Sequence, residues 1–378
     1  MNFDFSETLK QWFAALVEAG KDLAGLLELE EADEKAAASG LRQGLARLAA
    51  LGYLRVQTRQ TDGDKNGVLA LMGAMEQMAG CCPSLFLATE YSTRVFGRAV
   101  SAWGSAAQRT RWLDPLAEGV LVGAVALSEG AMNVENEPLA TRGQRRGDKI
   151  TIEGRKQSVV NAPAADVIAV AGSLEGEPAL FLVPRAAAGL TVSPRRVTMG
   201  YAGVLIADLT LEACALAPDA VIAVPDMARM LDGLRFWENQ VLVAAALGQM
   251  RMALDAARDH AKTHRSGGRP IIAYQEVGFK LAEMLTLHQT AQWLAYRAAW
   301  AAEAAPKEAQ SLTLCAKIFA TEAAERVCGS ALQILSSTGY LKGHPAEVAY
   351  RAAKYGQIAG TSTEIARVRL GDEAMGWR

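Results

Sequence analysis

Cysteine and histidine are scarce in this chain. Its five cysteines (Cys81, Cys82, Cys214, Cys315 and Cys328) are odd in number and scattered over 378 residues. That spacing argues against a disulfide framework and for a reducing, cytoplasmic compartment. The four histidines, at 260, 264, 288 and 344, add no ligand pattern, so no metal site is expected. An excess of either charge is also missing: a net charge of −2 provides no field for nucleic acid or an anionic membrane. No apolar run is long enough to span a bilayer. The opening "MNFDFSETLKQWFAAL" places acids early and has no basic region, so no signal peptide is expected. There is no G-x-G-x-x-G after a first strand, no P-loop and no G-x-S-x-G, which excludes the usual nicotinamide, nucleotide-hydrolase and serine-hydrolase architectures.

What remains is 51% apolar and 21% charged, the balance of a soluble protein with buried helices and a core large enough for several subdomains. "LRQGLARLAALGYL" puts Leu41, Leu45, Leu48 and Leu51 on one helical stripe, closed by "GY". Between 121 and 225 the character changes. "LVGAVALS", "KITIEGRKQSVV", "DVIAVAG", "PALFLVP", "LTVSPRRV" and "VLIADLTLE" are short apolar runs cut by Gly, Pro, Asp or Asn, and they read as strands and turns. Long Ala-rich amphipathic segments then return over 226–264, 273–305 and 308–337, followed by shorter pieces. The expected fold is therefore α+β rather than doubly wound, with helices over 1–120, a compact β region over 121–225 and a four-helix-like bundle over 226–378.

Several blocks in register carry a resemblance. "GAVALSEGAMNVE", "ITIEGRKQSVVNAPAADVIAVAG", "RSGGRPIIAYQEVGFKLAEM", "ALQILSSTGYLKGHPAEVAYRAAK" and "IAGTSTEIAR" together are similar to the acyl-CoA dehydrogenase family, across nearly the whole chain. The resemblance implies an N-terminal helical domain, a middle β-barrel-like domain and a C-terminal four-helix bundle. It also implies FAD, assembly as a homodimer or homotetramer, and electron-transfer flavoprotein as the electron acceptor. The implied chemistry removes an α proton and a β hydride from an acyl thioester. Such a reaction needs a carboxylate tuned by its surroundings and donors that polarise the thioester carbonyl.

Many members carry that carboxylate in the loop before the last helix, in a motif like Y-E-G-T-S-E-I. Here the position falls on Gly360, or on Ala359 in a one-residue shift, and neither ionises. The isovaleryl-CoA and long-chain branches carry it on a bundle helix instead, in a motif like L-E-R-L-V-L-A-G-G-x-L-G. "LRFWENQVLVAAALG" matches with Glu238 at the acid and Gly248 at the closing glycine, although Asn239 replaces the Arg that follows. Glu238, Val241, Leu242, Ala245 and Gln249 share a helix face, and an acid beside that apolar stripe is expected to titrate high. A single Glu near a helix start is more ordinarily an exposed one. Glu90, in "CCPSLFLATEYSTRVFG", is a second candidate acid by resemblance to the family's substrate-facing segment; its ordinary reading is a surface Glu.

For the cofactor, the resemblance places Leu127 and Ser128 at the pyrimidine end of the flavin and Ser158 and Val160 beside its ring. Val160 replaces a hydrogen-bonding Thr, and Val134 replaces a phosphate-side Ser. A second stretch, normally from a neighbouring subunit, aligns His264 and Arg265 with the diphosphate. Gln333 is retained, with Ser336 and Ser337 in place of a Gly-Gly pair. Ser362 and Glu364 stand near the adenine half at a helix start, where free N–H groups attract phosphate and where an ordinary N-cap also fits. Phe236, Trp237, Tyr274 and Tyr340, with Ala359 and Gly360, are expected to wall the acyl pocket, although such aromatics are often simply core. The acyl carrier is coenzyme A or a carrier protein. Two other readings are a catalytically silent, flavin-free relative and a flavin oxidase.

Overall fold

A computed structural model describes residues 4–27, 33–58, 67–130 and 138–377. Val134 lies outside them. The N-terminal region is helical: α1 (Glu7–Leu27), α2 (Glu34–Ala50), α3 (Tyr53–Thr58), α4 (Gly67–Ala79), α5 (Pro83–Glu90), α6 (Gly97–Trp103) and α7 (Ala106–Ala117). Asp33 caps α2 by accepting from the Ala36 N–H at 2.6 Å. Leu41, Leu45 and Leu48 are buried along it as the spacing requires, while Leu51 lies just past its end and is half-buried. One turn of π-helix, Tyr91–Phe96, separates α5 from α6, and all six of its residues are buried. Such wide turns widen the helix locally and re-aim side chains, often at functional sites.

Among the described residues eight strands follow: β1 (Gly123–Ala126), β2 (Arg142–Arg146), β3 (Lys149–Val160), β4 (Val167–Leu174), β5 (Glu177–Pro184), β6 (Leu190–Val192), β7 (Ile206–Leu216) and β8 (Val221–Ala223). They form one sheet in the order β6-β7-β3-β2-β4-β5-β8, with β1 paired in parallel to β4. β4 is buried almost throughout, as a run covered on both faces must be. The β3–β7 ladder shifts register between Lys156 and Val159, and Ser158 takes φ 53° inside that shift. A bulge of this kind turns side chains out of the regular pleat, here Gln157 and Ser158.

The C-terminal helices are α8 (Met227–Thr263), α9 (Gln275–Ala304), α10 (Pro306–Leu335), α11 (Pro345–Ile358) and α12 (Thr363–Ala374). Asp226 caps α8 through the Arg229 N–H at 2.6 Å. Gly248 on α8 is required by close approach, since a Cβ there would sit 2.5 Å from the Ala79 carbonyl carbon. A polar knot ties the N-terminal helices to this bundle. Glu76 on α4 is buried and accepts from Gln292 Nε2 at 2.9 and 3.0 Å and from the Tyr296 hydroxyl at 2.8 Å, both on α9.

Candidate active site

The three regions meet around a cavity of about 500 Å³, within the range of small-molecule sites. Its β wall is Val125, Leu127, Ser128 and the 157–160 segment. The opposite wall is Leu234, Arg235 and Glu238 on α8, with Ile358, Ala359, Gly360, Ser362 and Ile365 from the α11–α12 turn; Tyr91, Val95 and Tyr355 complete it.

Glu238 is the one carboxylate among the described residues lining this space. Its side chain is 15% exposed and both oxygens are engaged: the Tyr91 hydroxyl donates to Oε1 at 2.6 Å, and Arg235 Nη1 donates to Oε2 at 3.0 Å. The Tyr91 and Tyr355 hydroxyls lie 3.3 Å apart. Burial first, and then the Glu238 charge, push both phenols above their ordinary range, so they remain protonated. The acid is therefore held in a cluster of donors rather than on a bare apolar stripe.

The neighbouring turn is clamped from two sides. Asn239 donates from Nδ2 to the Thr361 hydroxyl and accepts from the Thr361 N–H, each at 3.0 Å. The substitution of Asn for the expected Arg thus has a local purpose. Fully buried Lys317, on α10, donates to the Ala359 carbonyl at 2.8 Å and the Thr361 carbonyl at 2.5 Å. Burial pushes its ammonium down to about 8, against the pull of Glu238. Gly360 has φ 65°, in the left-handed region that favours glycine.

A second buried cation braces the β wall. Lys156 donates to Glu129 at 2.6 Å and to the Leu127 carbonyl at 3.1 Å. Burial pushes Lys156 down to about 8, with Glu129 opposing. For Glu129, burial acts upward but is outweighed by Lys156, Thr141 and the Ala140 N–H, leaving the carboxyl below its ordinary range. The pair fixes the backbone at Leu127 beside Ser128. The wall so held is lined by the polar residues Ser128, Gln157 and Ser158 next to the apolar Val125, Leu127 and Val160. That donor set suits a planar ring with one polar edge and one apolar face.

The residues singled out in the sequence divide accordingly. Leu127, Ser128, Ser158, Val160, Glu238, Ala359, Gly360 and Ser362 come together at the cavity. Ser362 also caps α12 through the Ile365 N–H at 3.3 Å. Glu364 is exposed on the first turn of that helix, accepting from the Thr363 hydroxyl at 3.2 Å. Glu90 is neither on the surface nor on the cavity. It is fully buried within the N-terminal helices, accepting from the Tyr53 hydroxyl at 2.6 Å.

Phe236 and Trp237 do not wall the cavity. The helical period turns them roughly 200° and 100° away from Glu238, into a second cleft where Trp237 meets Trp103 at 5.3 Å between ring centroids. Tyr340 is 87% exposed, and Tyr274 binds the Ser266 carbonyl at 2.9 Å. His264 ends α8, stacked on His260, and Arg265 donates to the Gly268 carbonyl in the hairpin that follows. Gln333, Ser336 and Ser337 are exposed around the end of α10. None of these five lines the cavity of its own chain.

Sequence reasoning missed Tyr91, Arg235, Tyr355 and Lys317. Arg235 was within reach, because it stands at i−3 from Glu238 on a helix. Tyr355 stands one turn before Ala359 and Tyr91 directly follows Glu90, so both lay beside residues already singled out; Lys317 comes from a distant element and left no local signal.

Comparison with known proteins follows the same three regions. Family models match residues 24–120 (acyl-CoA dehydrogenase, N-terminal domain), 124–214 (middle domain) and 236–375 (C-terminal domain). The mitochondrial short-chain specific acyl-CoA dehydrogenase of Homo sapiens is 28% identical over 329 residues, covering 85% of this chain and 80% of its own. Cyclohex-1-ene-1-carbonyl-CoA dehydrogenase of Geobacter metallireducens is 30% identical over 318 residues, covering 82% and 83%. Among solved structures, butyryl-CoA dehydrogenase from Megasphaera elsdenii superposes with a TM-score of 0.88 at 22% identity, covering 99% of this chain and 100% of that one.

Proposed function

The chain belongs to the acyl-CoA dehydrogenase family, and from that premise we propose that it dehydrogenates an acyl thioester across the α,β bond with Glu238 as the base. The carrying observation is that Glu238 is the sole carboxylate among the described residues of the cavity. Tyr91 and Arg235 fix its two oxygens, and each oxygen keeps a lone pair for the incoming proton. A carboxylate held within reach of the α carbon supplies general base catalysis.

In this reading Leu127, Ser128, Ser158 and Val160 hold the ring of FAD. Bound FAD supplies the acceptor for the β hydride. Lys156 and Glu129 keep the wall in place, while Lys317 and Asn239 keep the 359–361 turn against the substrate. Ser362 and Glu364, with His264, Arg265, Gln333, Ser336 and Ser337, are assigned to the outer half of the cofactor. The last five belong to the site of a second copy, which makes the working unit a homo-oligomer. The acyl carrier is coenzyme A, with an acyl-carrier protein as the alternative, and electron-transfer flavoprotein takes the electrons. No helix among the described residues is long and apolar enough to cross a membrane; a cytoplasmic site of action belongs to the same proposal.

The test is anaerobic bleaching of the flavin absorbance by a panel of acyl thioesters. Bleaching that is lost in Glu238→Gln and kept in Glu90→Gln supports the assignment; the reverse pattern overturns it. A protein purified without flavin, and unable to take it up, sinks the whole reading. Rapid recoloration by oxygen identifies an oxidase instead.

A further inference from the structure

A guanidinium is an odd thing to find in the wall of an acyl pocket. Arg235 lines the same cavity as Glu238, with a side chain only 14% exposed, and Glu238 is its ion-pair partner at 3.0 Å. Its Nε is buried and has no hydrogen-bond acceptor among the described residues. Around it the cavity wall offers Leu234, Ile358, Ile365, Val95 and the two phenols, and no second carboxylate among the described residues.

The charge balance has a consequence for the reaction. While Glu238 is ionised, the pair is neutral. Once Glu238 has taken the α proton it is neutral itself; the negative charge leaves with the β hydride, and Arg235 loses the one carboxylate that the described residues of the cavity place against it. Buried charges without partners are strongly unfavourable. A second anionic group on the acyl chain removes the difficulty: it pairs with the guanidinium, satisfies the orphaned Nε and leaves Glu238 free to accept a proton.

We propose that Arg235 is a specificity-determining residue that selects acyl thioesters bearing a carboxylate close to the α carbon. This rests on the dehydrogenase reading above. The short reach follows from geometry, because guanidinium and base are in direct contact. The anionic group lies roughly two to four bonds, of about 1.5 Å each, from the carbon that is deprotonated. Arginine suits the task, since its planar fork matches a carboxylate with two parallel hydrogen bonds.

The test uses dithionite-reduced holoprotein, which cannot accept a hydride, so that calorimetry reads affinity without turnover. Succinyl- and glutaryl-CoA are compared with butyryl- and pentanoyl-CoA, which have the same chains ending in methyl. At least one carboxylate-ended thioester is expected to bind about tenfold or more tightly than its methyl counterpart. Arg235→Met is expected to erase that preference and Arg235→Lys to keep part of it. Flavin content and melting temperature report whether each variant is folded; if Arg235→Met is not, the Lys variant carries the comparison. Equal affinities, or a preference that survives Arg235→Met, overturn the proposal. So does an Arg235→Met protein whose flavin reduction slows equally for both chain types, because Arg235 then serves the enolate. If the methyl-ended thioesters bleach the oxidised flavin and the carboxylate-ended ones do not, the dehydrogenase reading stands and this inference falls. If no thioester binds or bleaches, both fall.

Discussion

A Cβ built on Gly360 would lie 3.5 Å from Cγ of Glu238. The loop position where many relatives keep their acid and the helix position that holds one here therefore open onto the same point in space. On the assignment proposed above, an acid absent from the loop is supplied from the helix at nearly the same place in the fold. Removing it by Glu238→Gln is expected to slow anaerobic flavin reduction by roughly 10² to 10⁴-fold, the range of a lost general base. Adding Gly360→Glu to that variant is expected to restore little. The backbone there has φ 65°, and the new Cβ would meet Asn239 Oδ1 at 2.6 Å and Leu242 Cδ1 at 2.9 Å. Stopped-flow reduction rates of the single and double variants decide it, and a large recovery in the double variant refutes the claim of steric exclusion.

Tyr91 gives a second prediction. Its hydroxyl donates to the acid at 2.6 Å from the π-helical turn. Tyr91→Phe keeps the ring and deletes one charge-assisted hydrogen bond, worth about 1.5 kcal/mol. The rate of flavin reduction is expected to fall by about tenfold at saturating thioester, with flavin content unchanged. A variant that loses flavin instead would show that the residue serves packing.

Lys317 leads to a dependence on pH. Its ammonium titrates at about 8 in the folded chain, against an ordinary 10.5, because burial disfavours the charge. Between those values the unfolded chain holds the proton that the folded chain has shed, so raising the pH favours folding. Wild type is therefore expected to gain on Lys317→Met by about 2 kcal/mol between about pH 8 and about pH 9.5. Below about pH 8 the difference should be flat. Urea unfolding of both proteins across this range measures it, and a gap that stays constant or narrows with rising pH rejects the assignment.

What the sequence disclosed and what it concealed follow the range of the interactions involved. The stripe of Leu41, Leu45 and Leu48 was legible because helical spacing is local, and Glu238, singled out by its place in a family motif, lies on the cavity. The same spacing, applied one turn earlier, would have found Arg235. Burial of Glu90 was not legible, because its shielding comes from Tyr53, 37 positions away. Lys317 reaches its turn across 42 and 44 positions, and Tyr91 reaches Glu238 across 147. No window of sequence contains such pairs. Phe236 and Trp237 fall outside the cavity because a helix turns chain neighbours to different faces, so residues one and two positions before Glu238 do not share its side.

The knot around Glu76 supplies the last prediction, and it concerns the joint between domains rather than the chemistry. Glu76 is 1% exposed and accepts from Gln292 and Tyr296 across the boundary between α4 and α9. Burial acts to raise its carboxyl, but His288, Arg251 and Gln292 outweigh it and leave it below the ordinary 4.5. Glu76→Gln turns one acceptor oxygen into a donor facing donors, so the variant is expected to be less stable by about 2 to 3 kcal/mol at neutral pH. Because the folded value is the lower one, this contribution is complete above about pH 4.5 and is lost as pH falls through the folded-state value. The gap between wild type and variant should therefore hold constant from neutrality down to about pH 5 and close below it. Denaturant titrations at several acidic pH values test this, and a gap that widens on acidification would mean that Glu76 is protonated in the native protein.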